Sequence, residues 1–220
     1  IELENHSKVF DLLGLDESPY NKINIHIGAT YNDKELAAKT WVKNMKRLSA
    51  SCANRLTVEN DDKASMYSVK DLMHIHNKIG IPIVFDYHHH KFCTGGLEED
   101  EALKLAASTW PEGITPIVHY SEPKEGPKPQ AHADYIKIVP NTYGVDVDIM
   151  VEAKAKEKAT AEQQKIQDQI NTLDAKRKSG TKGLDPQIGA LTAKKEAIPI
   201  ATQAIEDNLR AQVTNFGSFS

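Results

Sequence analysis

The stretch IPIVFDYHHH, residues 81–90, is the most informative about the fold, because an apolar run rich in β-branched residues ends there in an aspartate and three histidines. Four other short apolar runs also carry acidic residues or histidine towards their ends. They are INIHIG at 23–28, RLTVENDD at 55–62, ITPIVHYSE at 114–122 and VDVDIMVEAK at 145–154. Each run is typical of a β-strand that is buried on both faces and has a polar residue at its carboxyl end.

Helical patterns occupy the segments between these runs. NDKELAAKTWVKNMKRLS follows the first run, SVKDLMHIHNKIG ends at Gly80 as a C-terminal cap, and EEDEALKLAASTWP stops at Pro111. Alternation of strands and helices predicts βαβ units with a parallel sheet, and therefore the α/β class. Both β/α barrels and open α/β sheets place their functional sites at the carboxyl ends of such strands.

Five polar residues close the predicted strands at intervals of 33, 27, 33 and 33 residues. These residues are His26, Glu59, Asp86, His119 and Glu152. Because the carboxyl ends of parallel strands meet at one edge of the sheet, we expect these side chains to gather there. Carboxylates and imidazoles together form a ligand set for Zn²⁺ or Mn²⁺. The spacing therefore predicts a metal site at this edge.

Two further histidines extend the candidate ligand set. His89 lies three residues after Asp86, where the chain leaves the sheet, and His132 lies in the later stretch AHADYI. Metal ions about 3.5–4 Å apart activate water and hold the oxygens of a phosphodiester, which is a common use of such sites. A lone carboxylate at a strand end is more often a helix cap, and we interpret Asp61 and Asp62 in that way.

The bulk composition narrows the classes of function. A net charge of −4 over 220 residues offers no overall basic surface, so binding of nucleic acid would need a local patch or metal ions. No run of about 18 apolar residues predicts a membrane span and the N-terminus lacks a signal-peptide pattern, so we expect an intracellular protein. Cys52 and Cys93 are far apart and do not have the spacing of a zinc site, and they predict reduced thiols rather than a disulfide.

The C-terminal part of the chain has a different character. It is rich in Ala, Lys and Gln, and Ile166, Ile170 and Leu173 recur at helical spacing before the turn signal KSGTKGLDP. We expect a helical hairpin at 159–220, with Pro199 breaking or kinking its second helix, after an α/β domain at 1–158. The hairpin is a candidate surface for self-association.

An ordered set of motifs resembles the UV damage endonucleases of the UvdE type. The motifs are INIHIGA, LTVENDD, PIVFDYHHH, PIVHYSE, HADYI and IMVEAKAKE, and the resemblance covers about residues 22–157. It implies a TIM-barrel fold, similar to the endonuclease IV group, of which about five of eight βα units are present. It also implies an enzyme that nicks damaged double-stranded DNA on the 5′ side of a photoproduct, with a three-metal cluster that commonly contains manganese.

The resemblance assigns roles residue by residue. His26 and Glu59 would hold one ion, with Glu59 bridging to a second ion that Asp86, His119 and Glu152 would also hold. His89 and His132 would serve the third ion. Catalysis is accordingly expected from the four residues Glu59, Asp86, His119 and Glu152, with Zn²⁺ or Mg²⁺ as alternative metals.

Two departures from the family pattern leave other functions open. Ile117 stands where the family usually has a lysine, so the third ion is expected to bind weakly or to be absent. The chain begins at Ile1 and has no counterpart of the family's early strands, so we expect an N-terminally truncated barrel. The alternatives are a sugar isomerase or epimerase-like metal-dependent barrel, and an inactive fragment whose helical tail mediates association.

Overall fold

The structure of the chain, a computed structural model, describes residues 1–154 and 156–196. It divides into two compact units. The first comprises Ile1–Ser121 and Asn141–Val151, and the second comprises Glu122–Pro140 and the described residues from Glu152 on. The segment before Asn141 thus groups with the chain that follows the last strand, a grouping that a boundary after residue 158 does not anticipate. The division into two domains at that boundary stays a prediction.

The first unit contains a sheet of five parallel strands. They are β1 (Ile23–Ile25), β2 (Leu56–Glu59), β3 (Ile83–Asp86), β4 (Ile117–Tyr120) and β5 (Asp148–Val151). Each strand pairs in parallel with its successor, so the order in the sheet equals the order in the chain, as in β/α barrels. The predicted parallel α/β architecture is confirmed.

Six α-helices of the first unit connect or flank these strands. They are α1 (Glu2–Leu12), α2 (Lys34–Met45), α3 (Ala50–Arg55), α4 (Val69–Ile79), α5 (Tyr87–His90) and α6 (Glu99–Ala107). α4 begins with a capping box between Ser68 and Asp71 and ends at Gly80, whose φ of 70° is a left-handed conformation that suits glycine. The predicted helix over this segment is confirmed at both ends.

The core lies between the central strands and the helices that follow them. Val58, Ile83, Val84 and Phe85 are completely buried, as expected for parallel strands covered on both faces. Leu72 of α4 is also completely buried, together with other apolar residues of α4 and α6. In contrast, β5 alternates between exposed and half-buried residues, because the sheet has no further described strand beside it.

Helix α1, which no sequence pattern predicted, is held by a buried guanidinium group. Arg55 is completely buried and donates to the side chains of Ser7 (3.1 Å) and Asp11 (2.7 Å) and to the carbonyl of Leu15 (2.6 Å). A buried charge is tolerated only when it is paired and hydrogen-bonded. The sequence alone did not indicate that Arg55 would join the start of the chain to α3.

The second unit contains α7 (Lys156–Lys178) and α8 (Asp185–Glu196), which pack against each other. Ile166 and Ile170 of α7 are buried, and Lys195 donates to Gln167 at 2.8 Å. The predicted C-terminal helices are therefore present, while Pro199 lies outside the described residues. Across residues 1–154 and 156–196, none of the helices combines the length and apolar character that crossing a membrane requires.

Candidate metal centre

Strand register brings three of the predicted site residues to the carboxyl edge of the sheet. Glu59 and Asp86 are the last residues of β2 and β3, and His119 on β4 pairs directly with Asp86. Asn24 of β1 and Thr57 of β2 pair with each other two residues before His26 and Glu59, and their side chains are hydrogen-bonded. Parallel strands that end in register therefore place carboxylates and imidazoles side by side.

Glu59 stands at the centre of this arrangement and is only 5% exposed. Its Oε1 lies 3.3 Å from Nδ1 of His89 and 3.9 Å from Nε2 of His26, and its Oε2 lies 3.2 Å from Nδ1 of His119. The amide of Asn24 donates to the same Oε2, and Asn24 in turn accepts from Thr57 at 2.9 Å. One carboxylate thus faces three imidazoles and is oriented by an amide.

Two sets of potential ligands overlap at Glu59. His26, Glu59 and His89 form one set, and Glu59, Asp86 and His119 form the other. Within each set one ligand atom per residue lies within 4.8 Å of the others. We call these five residues the carboxyl-edge cluster. A carboxylate shared by two adjacent ligand sets has the position expected of a bridging ligand.

Burial and neighbouring charges shift the pKa values of the cluster residues in opposite directions. Burial alone would raise the pKa of Glu59, but hydrogen bonds from His119 and His89 and the nearby imidazole charges hold it well below its ordinary value. Burial raises the pKa of Asp86 to about 6. Burial alone would lower the pKa of His89, but its hydrogen bond to Glu59 and the charge of Asp86 raise it to about 9. Without a metal, the imidazolium of His89 compensates the Glu59 carboxylate.

The residues present fit a divalent cation. Oδ2 of Asp86 is buried and has no hydrogen-bond partner in the part of the chain that the structure describes. A buried carboxylate oxygen without a partner is costly unless a cation or a proton satisfies it. Carboxylate oxygens with imidazole nitrogens are a donor set for Mn²⁺ and Zn²⁺. The cluster is therefore a possible metal site.

His132 and Glu152 lie together in the second unit. Nδ1 of His132 is 3.0 Å from the backbone carbonyl of Glu152 and 3.6 Å from its Oε2, and both side chains are partly exposed. This contact orients the imidazole ring. Of the seven predicted ligands, five form the carboxyl-edge cluster of the first unit and two form this pair.

The three consecutive histidines have separate roles because the chain turns into helix α5 directly after Asp86. His89 approaches the carboxylates, whereas His88 and His90 are buried in the core. The ring of His88 packs edge-on against Phe92 with centroids 5.2 Å apart. The strand ends at Asp86, the residue predicted to close it, and the Asp86 carboxylate accepts from the backbone N–H of His89 at 2.7 Å.

Sequence reasoning missed two residues that support the cluster. The Asn60 side chain donates to the carbonyl of Asp86 (3.0 Å) and accepts from its N–H (2.8 Å), so it extends the pairing of β2 and β3 beyond their ends. Asp61 does not cap the following helix as predicted, because Ser68 does so. Instead Asp61 faces His26, and burial raises the pKa of its carboxyl group. The polar run ENDD directly after a buried strand was the available signal.

Ile117 lies on the same side of β4 as His119 and is nearly buried. It packs with Val84 and Trp110 in an apolar cluster. Its side chain therefore contributes packing and has no ligand atom to offer at this position. The expected weakness of a third metal ion stays a prediction.

Comparisons with known proteins agree with this architecture. The model of the family described as UV-endonuclease UvdE matches residues 1–180. A UV DNA damage endonuclease of Bacillus cereus (strain Q1) is 39% identical over 169 residues, covering 72% of this chain and 51% of the relative. One of Bacillus anthracis (strain A0248) is 38% identical over 169 residues, with the same coverage of 72% and 51%.

A solved structure extends the likeness to the fold. The crystal structure of SacUVDE aligns with a TM-score of 0.62 at 36% identity, covering 71% of this chain and 53% of that chain. The chain spans about half the length of the relatives that it matches. The predicted barrel-type α/β fold is confirmed by this neighbour. Because the family model matches more than half of the residues, the chain belongs to the UV-endonuclease UvdE family.

Proposed function

We propose that the chain carries the metal-binding part of a DNA repair endonuclease that hydrolyses a phosphodiester 5′ to a photolesion. The observation that carries the proposal is the position of Glu59, which two sets of potential metal ligands share. Membership of the UvdE family and the likeness to UV DNA damage endonucleases support DNA as the substrate. A DNA repair enzyme of this kind would act inside the cell, on damaged double-stranded DNA.

The ligand roles follow the resemblance and the geometry of the carboxyl-edge cluster. His26 and Glu59 would hold one ion, and Asp86 and His119 would share the second with Glu59. Glu152, as a further ligand of the second ion, and His89 with His132, as ligands of a third, rest on the resemblance alone. Manganese is the proposed metal, and zinc or magnesium are the alternatives.

The chain's own residues prepare the site for this chemistry. Bound divalent cations would supply a water of lowered pKa and positive charge opposite the phosphate oxygens. Glu59 is ionised because imidazoles surround it, so it can bridge cations without first losing a proton. Asn24 fixes its orientation and Asn60 fixes the backbone of Asp86. Cations at this edge would also attract an anionic DNA backbone to a chain of net charge −4.

The test combines metal content with nicking. The 220-residue chain is loaded with Mn²⁺, its metal content is measured by mass spectrometry, and nicking is assayed on UV-irradiated and untreated plasmid. We expect two or more ions per chain and nicking of the irradiated plasmid only. Glu59→Gln is expected to lower the metal content and to abolish nicking, because the amide cannot bridge two cations as a carboxylate can.

Glu112→Gln is the matched control, since it removes an exposed carboxylate of the first unit outside the cluster. It should bind metal and nick like the wild type. Undiminished nicking by Glu59→Gln would contradict the bridging role. Bound metal without nicking would instead support an inactive fragment, the alternative that Ile117 and the coverage of about half of each relative favour.

A further inference from the structure

The two nitrogens of the His26 ring face different carboxylates. Nε2 lies 3.9 Å from Oε1 of Glu59, inside the carboxyl-edge cluster. Nδ1 lies 3.3 Å from Oδ1 of Asp61. A neutral imidazole carries its proton on one nitrogen and binds a cation through the other, so whichever group receives the proton also decides which nitrogen is available.

Asp61 is held firmly in the position from which it faces His26. Its carboxylate is nearly buried and its Oδ2 accepts from the backbone N–H of Tyr67 at 3.2 Å. The N–H of Asp61 donates to the Tyr67 carbonyl at 2.9 Å, which closes the turn between these residues. The Tyr67 hydroxyl donates to the carbonyls of Ala29 and Lys34, so the same turn is tied to the segment that follows His26.

Asp61 lies outside the ligand sets themselves. Among the described residues, His26 shares one set of potential ligands with Glu59 and His89. Asp61 belongs neither to this set nor to the set of Glu59, Asp86 and His119. Its contact is with the ring nitrogen that faces away from Glu59. His89 differs from His26, because its Nδ1 lies close both to the backbone carbonyl of Asn60 at 2.9 Å and to Oε1 of Glu59 at 3.3 Å.

We propose that Asp61 is a positioning residue that holds the Nδ1 proton of His26 and thereby presents Nε2 to a divalent cation beside Glu59. The inference rests on the proposed metal site. It adds Asp61 as a residue that acts through His26 and contacts neither metal nor substrate. An oxygen acceptor behind a ligating histidine fixes the tautomer and ring orientation and makes the imidazole a better ligand. The segment from Glu59 to Asp61 thus supplies one ligand, Glu59, and one outer acceptor, Asp61, to the same histidine.

The first experiment measures the tautomer of His26 in the metal-free chain by long-range ¹H–¹⁵N NMR. We expect the proton on Nδ1 in the wild type and in Asp62→Ala, and a loss of this preference in Asp61→Ala. Asp62 is the matched control, since it is adjacent, carries the same charge and makes no hydrogen bond or ion pair with any residue that the structure describes. A wild-type proton on Nε2 would overturn the proposal.

The second experiment measures Mn²⁺ affinity by calorimetric titration of the full chain. Asp61→Ala should bind Mn²⁺ about 10–100-fold more weakly than Asp62→Ala, the range found for outer partners of ligating histidines. Equal affinities would overturn the proposal. Asp61→Asn keeps the shape of the side chain, so it serves as a second variant in case Asp61→Ala does not fold. It should bind Mn²⁺ more weakly than Asp62→Asn, because an amide oxygen is a weaker acceptor than a carboxylate.

The two experiments separate this inference from the proposed function. The tautomer of His26 is measured without metal and without DNA, so it decides the role of Asp61 even for a chain that does not nick. Conversely, failure to bind Mn²⁺ or to nick irradiated plasmid would remove the proposed function. The dependence of the Nδ1 proton of His26 on Asp61 could still be observed in that case.

Discussion

The carboxyl-edge cluster and the α7–α8 pair contain the same kinds of charged groups in opposite environments. Glu59, Asp86 and His119 are at most 5% exposed, and their charges must be compensated within the protein. In the helical pair Arg177 and Asp185 also form an ion pair, at 2.9 Å, but both side chains are largely exposed. Water and salt screen that pair, whereas the buried groups shift one another's pKa. Burial, rather than charge alone, therefore distinguishes a chemical site from a solvated surface.

Removal of one carboxylate from each region should have the largest effect. Asp86→Asn is expected to weaken Mn²⁺ binding by more than about 100-fold, beyond the effect typical of outer partners, because it removes a ligand with an unsatisfied oxygen. Asp185→Asn should leave Mn²⁺ affinity unchanged. Calorimetric titration of both variants checks this, and a similar loss in both would mean that general charge, rather than the cluster, attracts the cation.

A second test compares core packing in the two regions. Leu72→Ala in α4 deletes a completely buried side chain and should lower the free energy of unfolding by about 2–5 kcal/mol. Ile166→Ala in α7 should reduce helical signal while leaving the unfolding of the first unit in place. Trp41 and Trp110, the two tryptophans of the chain, both lie in the first unit, so urea unfolding followed by fluorescence reports on that unit.

The fluorescence midpoint should therefore shift for Leu72→Ala and stay at the wild-type value for Ile166→Ala, while circular dichroism registers both substitutions. Equal shifts of the fluorescence midpoint would show that the first unit and the α7–α8 pair unfold as one cooperative body.

The smallest expected effect, for a change of one pH unit, is a dependence of metal affinity on pH. The pKa of His89 is raised from 6.5 to about 9, so its proton stabilises the metal-free chain below pH 6.5 and this contribution is lost as pH rises through about 9. A cation needs the neutral imidazole, so Mn²⁺ affinity should rise about tenfold per pH unit below 9. Titrations at several pH values check this, and a constant affinity would exclude His89 as a ligand.

Sequence patterns predicted the parallel strands because apolar β-branched runs cannot be exposed without cost. The positions of Glu59, Asp86 and His119 followed, since residues that close neighbouring parallel strands meet at one edge. The bounds were less accurate. The run at residues 145–154 extends beyond β5, which spans only Asp148–Val151, whereas β3 ends at Asp86 as predicted, because that residue caps the turn of α5. An apolar run does not show where along it the pairing with the neighbouring strand begins.

Periodicity and strand order in the sequence were enough to predict the α/β class, the C-terminal helices and the meeting of His26, Glu59, Asp86 and His119 at the carboxyl edge, because these features depend on local chemistry. The spacing from Asp86 also singled out His89, and tertiary structure alone decided that His88 and His90 turn into the core while His89 approaches Glu59. It also decided that Asp61 faces His26 and that Arg55 holds α1. These contacts join residues from separate segments, and their directions depend on burial and hydrogen bonding in three dimensions, which spacing along the chain does not encode.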